Sequence, residues 1–463
     1  MEAFNNKDPG NKKNTDLITF TIPFPLGEIK EKITISSDID PQFSIEQIIN
    51  QALRLHSKGN ISEAAKYYQY CIDQRYKDYR VFSNYGVILQ NLGKGKEAFD
   101  YFLKAIALNP QLSNIYHNIT KLLNYSDPSQ FNRSKLKAIL NILLCRNDVA
   151  HNELFTPFSF LYKDEIISNL KRLDSDHYSL NIFINDKLIL SALRKITFRC
   201  LELEKHLTKA REIICNLIAN NKKEMSDLQI QFLSALGEQC FLNEYVYLLT
   251  KKESISITKI IHRCQRGEIN ETTISLLSCY FPLYKLLEKI PSLKSFNPLN
   301  KNVHELIKLQ ISEPIKEIEI SKNIKKLGPI KNVISQKVKS QYEINPYPKW
   351  RYGNPSKKGK IIFTQSINSC IKPNYIRQSL DSNKIKVLIV GCGTGQQILL
   401  SQIYKNAQII AIDLSLPSLS YAQRKVNEFG INNVKLIQMD ILEINLLEEK
   451  FDVIECSGVL HHM

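Results

Sequence analysis

The 463-residue chain carries 62 Lys and Arg against 46 Asp and Glu, a formal net charge of +16, and 43% of its residues are hydrophobic. This composition excludes a mostly disordered chain and is sufficient for two or three hydrophobic cores. A basic excess can steer a protein toward nucleic acid, anionic membranes or acidic partners, but it also arises from compositional bias. Because no nucleic-acid-binding motif accompanies the charge, the sequence favours bias over a nucleic-acid partner.

No apolar run approaches the roughly 18 residues that a membrane-spanning helix needs, and the N-terminus lacks the hydrophobic centre of a signal peptide. We therefore expect a cytoplasmic protein without a membrane partner. The ten cysteines show neither the paired spacing of zinc sites nor that of a compact disulfide framework, so no metal is expected.

Residues 1–44 combine a polar start with a short alternating apolar stretch that contains prolines, a pattern that predicts an extended arm. From there the apolar spacing becomes helical and repeats at the tetratricopeptide period. We predict such repeats over 45–125, with a protein or peptide partner in their groove, and further helices without a readable function over 126–335. The repeated positions are Gly59, Ala64, Tyr68 and Cys71, followed one period later by Gly93, Ala98, Phe102 and Ala105.

Residues 301–360 hold 14 Lys and Arg against 5 Asp and Glu, so over half of the net charge falls in this stretch. It includes the segment YEINPYPKW, in which Pro346 and Pro348 favour extended backbone. We assign 336–383 to a basic linker that contains this segment. Two interpretations stay open, a solvated linker anchored by aromatic residues or a lid that contacts substrate beside the next domain.

A strand, a glycine turn and a helix follow from residue 384, with the sequences KIKVLIV, GCGTG and QQILLSQIYK. Alternate glycines let the backbone bend sharply and approach a ligand, and the N-terminus of a helix attracts a carboxylate. The dinucleotide fingerprint requires Gly or Ala where this chain has Gln396, and the Lys and Ser or Thr of a P-loop are missing. The next strand ends at Asp413, at a distance from Gly391 that suits a carboxylate accepting hydrogen bonds from ribose hydroxyls.

The segments VLIVGCGTGQ, AIDLS, IQMDILE and FDVIECSGVLHHM resemble the successive motifs of class I methyltransferases, which use S-adenosyl-L-methionine as cofactor. The resemblance implies a Rossmann-like α/β domain over 384–463, with glycines lining the methionine moiety, Asp413 holding the ribose, and Asp440 with Ile441 flanking the adenine. Together with the repeats, CYFPLYKL and YEINPYPKW also resemble bacterial proteins that join tetratricopeptide repeats to such a domain. The implied cofactor-binding residues are Gly391, Cys392, Gly393, Thr394, Gly395, Asp413, Leu414, Asp440, Ile441, Cys456 and Ser457.

His461 and His462 follow the fourth strand of this domain, beside the expected substrate opening. One of them could act as a general base on an acceptor, or both could shape the pocket. Because a sulfonium is already an activated leaving group, a dedicated catalytic residue is not required.

The fold class expected from these features is a multidomain protein, all-α in its N-terminal and middle parts and ending in an incomplete α/β methyltransferase domain. Because the family's sheet continues beyond a fourth strand, we expect that strand at an edge, poor activity of the chain alone, and a second chain that completes the domain. The alternative is an interaction protein whose repeats bind a partner and whose C-terminal half-domain is a remnant.

Overall fold

The computed structural model describes residues 43–171, 186–220, 225–353 and 384–460. The chain divides into two compact units, residues 1–122 and 123–463. Almost all of the predicted arm lies outside the described residues, as do His461 and His462. Among the described helices, none has the length and apolar composition needed to cross a membrane.

The described part of the first unit is helical throughout. Ser44 caps the first helix in a capping box with Gln47, which fixes its start. The third helix begins one tetratricopeptide period after the first and the fourth one period after the second, and Gly86 lies where a Cβ would be 2.9 Å from the Phe102 ring. The helices are α1 (Ile45–Ser57), α2 (Ile61–Asp73), α3 (Tyr79–Asn91) and α4 (Gly95–Leu108), followed by α5 (Ser113–Tyr125), which ends in the second unit.

The second unit begins with a helical part whose central helix, α10, is Asp227–Leu242. This helix packs against three others and is buried on nearly all sides, which its apolar sequence requires. The helices are α6 (Arg133–Cys145), α7 (Phe155–Lys171), α8 (Lys187–Lys195), α9 (Leu201–Asn220), α10 (Asp227–Leu242), α11 (Lys251–Gln265), α12 (Glu271–Leu277), α13 (Lys301–Ile307), α14 (Glu313–Ser321) and α15 (Val333–Ile344).

A parallel sheet of five strands completes the second unit, in the order β1-β4-β3-β2-β5. Apolar side chains from both faces of its central strands form two clusters, as expected for strands buried on each side. The elements are β1 (Lys325–Lys326), β2 (Ile385–Val390), α16 (Gln396–Ser401), β3 (Ala407–Asp413), α17 (Leu416–Glu428), β4 (Val434–Gln438) and β5 (Val453–Cys456).

The structure differs from the sequence prediction at three boundaries. The two residues of β1, assigned to the helical region, pair with Ile437 and Gln438 of β4 and extend the sheet. Helix α15 continues across the predicted linker boundary at 335/336, so the start of YEINPYPKW is helical. Helix α16 ends at Ser401, four residues before the predicted end, where the chain turns back toward β3.

The fourth strand of the predicted domain, β5, lies at the edge of the described sheet, as expected. The side chain of Ile454 on this strand is 65% exposed. An apolar side chain on an edge strand therefore remains uncovered by described residues.

Candidate active site

A cavity of about 500 Å³ opens at the carboxyl ends of β2, β3 and β4. This is where ligands bind in open parallel sheets. Of the eleven predicted cofactor-binding residues, Gly395 and Cys456 do not line the cavity, and Cys456 is exposed. The nine that do are Gly391, Cys392, Gly393, Thr394, Asp413, Leu414, Asp440, Ile441 and Ser457.

The glycine turn is tightly packed at two of its three glycines, and both have positive φ angles. At Gly391, φ is +64° and an added Cβ would lie 2.1 Å from Cγ2 of Val459. At Gly395, φ is +91° and an added Cβ would lie 2.9 Å from Cβ of Ala422 on α17. The third glycine therefore allows close packing of helices, whereas the first lets the backbone form the cavity wall.

The carboxylate of Asp413 accepts two backbone hydrogen bonds at the end of β3. The N–H groups of Gly393 and Ser415 donate to its two oxygens at 2.8 Å each. Desolvation raises the pKa of Asp413, and these N–H donors act in the opposite direction. Ser415 itself caps α17, where its side chain accepts from the N–H of Ser418.

These two bonds leave Asp413 able to bind a ligand. An ionised carboxylate has about four acceptor positions, so these two bonds do not occupy all of them. The bond from the N–H of Gly393 also connects the glycine turn to the end of β3, so the two predicted binding elements are held together. Asp413 thus has a structural role in addition to the predicted one.

Asp440 follows β4 and is 2% exposed. Its carboxylate accepts a hydrogen bond from the N–H of Leu442 at 3.1 Å and caps the 3₁₀ helix Ile441–Leu447. Ile441 and Leu442 present apolar atoms to the same cavity. The combination of a fixed polar group and an apolar wall suits a planar heterocycle.

Residues 342–351, which we call the strap, close one side of the cavity. The Thr394 hydroxyl donates to the carbonyl of Pro348 at 2.6 Å, and the Trp350 indole N–H donates to the carbonyl of Thr394 at 3.0 Å. Trp350 is 4% exposed and stacks on Phe429, with 6.0 Å between ring centroids. The strap is therefore anchored by Trp350 and also borders the cavity, while substrate contact stays a prediction.

Helix α15 supplies cavity residues that the sequence prediction missed. Ile334, Val338 and Tyr342 line the cavity at four-residue spacing. This spacing is the signal of a helix with one apolar face, and it was present in the sequence. These residues precede Gly391 by about fifty positions, too far along the chain for local spacing to connect them with the glycine turn.

The cavity is acidic among the described residues that line it. Its two charged side chains are Asp413 and Asp440, and the rest are apolar or neutral. Such a lining favours a ligand that carries positive charge over one held by phosphates. A sulfonium cofactor meets this condition, and no Lys or Arg in the described part of the chain lines the cavity to pair with phosphates.

Comparison with known proteins supports this interpretation. Residues 387–463 match the model of a family described as a methyltransferase domain. The prediction of a methyltransferase domain at this end of the chain is thereby confirmed. The comparison does not bear on the repeats.

Relatives with similar sequences cover limited parts of the chain. An uncharacterized protein of Synechococcus is 35% identical over 80 residues, 17% of this chain and 19% of the relative. An uncharacterized protein of Rickettsia prowazekii is 33% identical over 75 residues, 16% of this chain and 30% of the relative. A tRNA U34 carboxymethyltransferase of Campylobacter curvus is 26% identical over 162 residues, 32% of this chain and 54% of the relative. The chain thus spans from about a fifth to about half the length of these relatives.

Proposed function

We propose that the chain transfers a methyl group from S-adenosyl-L-methionine to an acceptor. The observation that carries the proposal is the juxtaposition of Gly393 and Asp413, joined by a hydrogen bond of 2.8 Å, at one cavity at the carboxyl ends of parallel strands. The family match over 387–463 supports the same reaction class.

The cavity residues fit this cofactor. Gly393, where an added Cβ would meet nothing nearer than 3.9 Å, leaves room for backbone contact with the methionine moiety, and Asp413 keeps acceptor positions for ribose hydroxyls. Asp440 and Ile441 would flank the adenine. When bound, the cofactor supplies a methyl group on a sulfonium, which is an activated leaving group.

The task left to the protein is alignment and exclusion of water. The strap contributes to alignment and to exclusion of water, because Tyr347 and Pro348 line the cavity and the Pro348 carbonyl is held by the Thr394 hydroxyl. Ser457 follows β5 at the same cavity. The resemblance to class I methyltransferases implies that it lies near the methionine moiety and the methyl group.

Calorimetric titration with S-adenosyl-L-methionine tests the proposal. Asp413→Ala removes the acceptor of two hydroxyl bonds, so we expect affinity to fall about 10- to 100-fold. Asp164→Ala makes the same chemical change on the exposed surface of α7 and should bind like the wild type. No binding by the wild type, or equal binding by a folded Asp413→Ala variant, contradicts the proposal.

We further propose that α1 to α5 form tetratricopeptide repeats that bind a protein or peptide partner. The interval between successive helix pairs equals the tetratricopeptide period, which supports this. Peptides selected on the full chain should protect amides of these helices from hydrogen exchange. Selected peptides that protect the second unit alone would contradict the assignment.

A further inference from the structure

A lysine-rich segment leads to the cavity from the edge of the sheet. Residues 322–342 contain six Lys and no Asp or Glu. Lys339 pairs with Glu343 at 3.2 Å, whereas the other five are exposed and form no ion pair with another described residue. These five residues, the basic strip, are Lys322, Lys325, Lys326, Lys331 and Lys337.

The backbone fixes the course of this strip. β1 pairs with the last two residues of β4, immediately before the residues that line the cavity. After β1 the chain packs against the 3₁₀ helix Ile441–Leu447, since an added Cβ at Gly328 would lie 2.6 Å from the Leu446 side chain. Asn332 lines the cavity and caps α15, so Lys331 and Lys337 flank residues of the cavity wall.

Three side chains at the cavity are half exposed. Tyr347 is 52%, Leu442 52% and Ile334 51% exposed, and all three line the cavity. They form an apolar rim with one aromatic ring. An exposed ring beside unpaired lysines is the combination that binds unpaired bases, which stack on aromatic rings while phosphates contact cations.

We propose that the basic strip binds the phosphate backbone of an RNA, one of whose unpaired bases stacks on Tyr347 at the cavity. As an assignment of the methyl acceptor, this inference rests on the proposed function, although RNA binding itself does not require it. The proposal replaces the expectation, drawn from the lack of a motif, that compositional bias explains the charge better than a nucleic-acid partner does. The structure supplies what the sequence lacked, which is the position of the charge relative to the cavity.

Nearby acidic groups do not cancel the positive charge of the basic strip. Glu443 lies beside Gly328, with its Cβ 3.6 Å from an added Cβ there, and reduces the local potential. The strip still carries five positive charges. An acidic peptide could pair with these lysines but has no regular set of planar groups to stack on the rim, which is why RNA is favoured.

Fluorescence anisotropy with the full chain provides the test. The probes are labelled bacterial tRNA, a 20-nucleotide single-stranded RNA, the DNA of the same sequence and polyglutamate, each at several salt concentrations. Lys331→Glu with Lys337→Glu should weaken binding of both RNAs at least tenfold and reduce the slope of log K against log salt by about one or two. Lys252→Glu with Lys259→Glu, an equal charge change on exposed positions of α11, should change RNA affinity less than threefold.

Tyr347 tests the stacking step separately. Tyr347→Phe keeps the ring and should bind RNA like the wild type, while Tyr347→Ala should bind about tenfold more weakly. Equal RNA affinity in both Tyr347 variants, or equal losses in the two double-lysine variants, would overturn the inference. Absence of RNA binding at low salt, or equal binding of polyglutamate or of DNA, would overturn it as well.

The two proposals fail in different ways. The strip lysines do not line the cavity, so their reversal should leave the affinity for S-adenosyl-L-methionine unchanged. Cofactor binding without RNA binding overturns the acceptor inference alone. RNA binding without cofactor binding overturns the proposed function and leaves the nucleic-acid surface in place.

Discussion

At the residue scale, Asp413 shows how one carboxylate can serve structure and binding together. Its bond from the N–H of Gly393 couples the glycine turn to β3, and its bond from the N–H of Ser415 fixes the turn into α17. Asn at this position would have to present an NH₂ group to one of the two N–H donors. Substitutions of Asp413 therefore affect the shape of the turn as well as any bonds to a ligand.

His56 gives a residue-scale prediction about pH. Burial lowers its pKa from 6.5 to about 4, and one ring nitrogen lies 3.4 Å from the Tyr68 hydroxyl. Because the unfolded chain binds the proton more tightly, stability rises with pH between about 4 and 6.5 and is lost as pH falls through this window. The full difference corresponds to about 3 kcal/mol.

Urea denaturation of wild type and His56→Leu at pH 7 and pH 4.5 measures this effect. As the pH falls, the free energy of unfolding of the wild type should decrease relative to that of the variant, because the Leu side chain cannot bind a proton. His151 is also buried, with its pKa lowered to about 3, and is present in both proteins, so it cancels in the comparison. A pH-independent difference between the two proteins would contradict the assignment.

At the element scale, the strands β2 to β5 could be predicted because local patterns define them, and the edge position of β5 was implied by the resemblance to class I methyltransferases. Each is a short apolar run that a glycine, a carboxylate or a polar turn ends. β1 could not, since two lysines carry no apolar pattern and their pairing depends on the sheet edge that β4 offers. The strap was recognised by its composition, but its position against Thr394 depends on tertiary packing of Trp350.

Trp350 is the element-scale test of the strap. It is buried between Phe429 and Tyr421, and the Tyr421 hydroxyl donates to its carbonyl. Trp350→Ala should lower the free energy of unfolding by about 3–5 kcal/mol, because it removes a large buried side chain. Trp350→Phe keeps most of the packing but loses the N–H bond to Thr394, so we expect the free energy of unfolding to fall by about 1–2 kcal/mol.

Denaturation curves of these two variants, followed by calorimetry with the cofactor, separate packing from positioning. The Phe variant should remain folded and bind the cofactor more weakly than wild type, because Thr394 and the strap wall lose one of their two connecting bonds. A strap that contributes nothing to the cavity would leave cofactor affinity unchanged in the Phe variant.

At the scale of the whole molecule, ion pairs connect the helical part of the second unit to its α/β part. Arg424 of α17 is 8% exposed and contacts Glu313 at 3.2 Å and Glu317 at 2.7 Å on α14. At the end of the strap, the Arg351 guanidinium binds Glu238 of α10, which is 1% exposed. The helical part therefore positions the strap, and through it one wall of the cavity.

Glu238 provides the test of this connection. Its carboxylate binds Arg351 and lies 3.6 Å from Arg194, so Glu238→Gln leaves two partly buried guanidinium groups without their counter-ion. We expect a loss of about 3 kcal/mol in the free energy of unfolding, because an unpaired buried charge is costly. Glu288→Gln, an equal change at an exposed position, should stay within about 0.5 kcal/mol of wild type.

A double-mutant cycle decides whether the loss comes from this pair. Arg351→Gln removes the cation, so the variant with both substitutions should be more stable than the sum of the single losses predicts, by about 1–3 kcal/mol. Additive losses would mean that Glu238 and Arg351 stabilise the protein independently. In that case the helical part would hold the strap by other contacts. Loss of the Glu238 carboxylate would then not shift the strap, and the affinity of Glu238→Gln for the cofactor should equal that of the wild type.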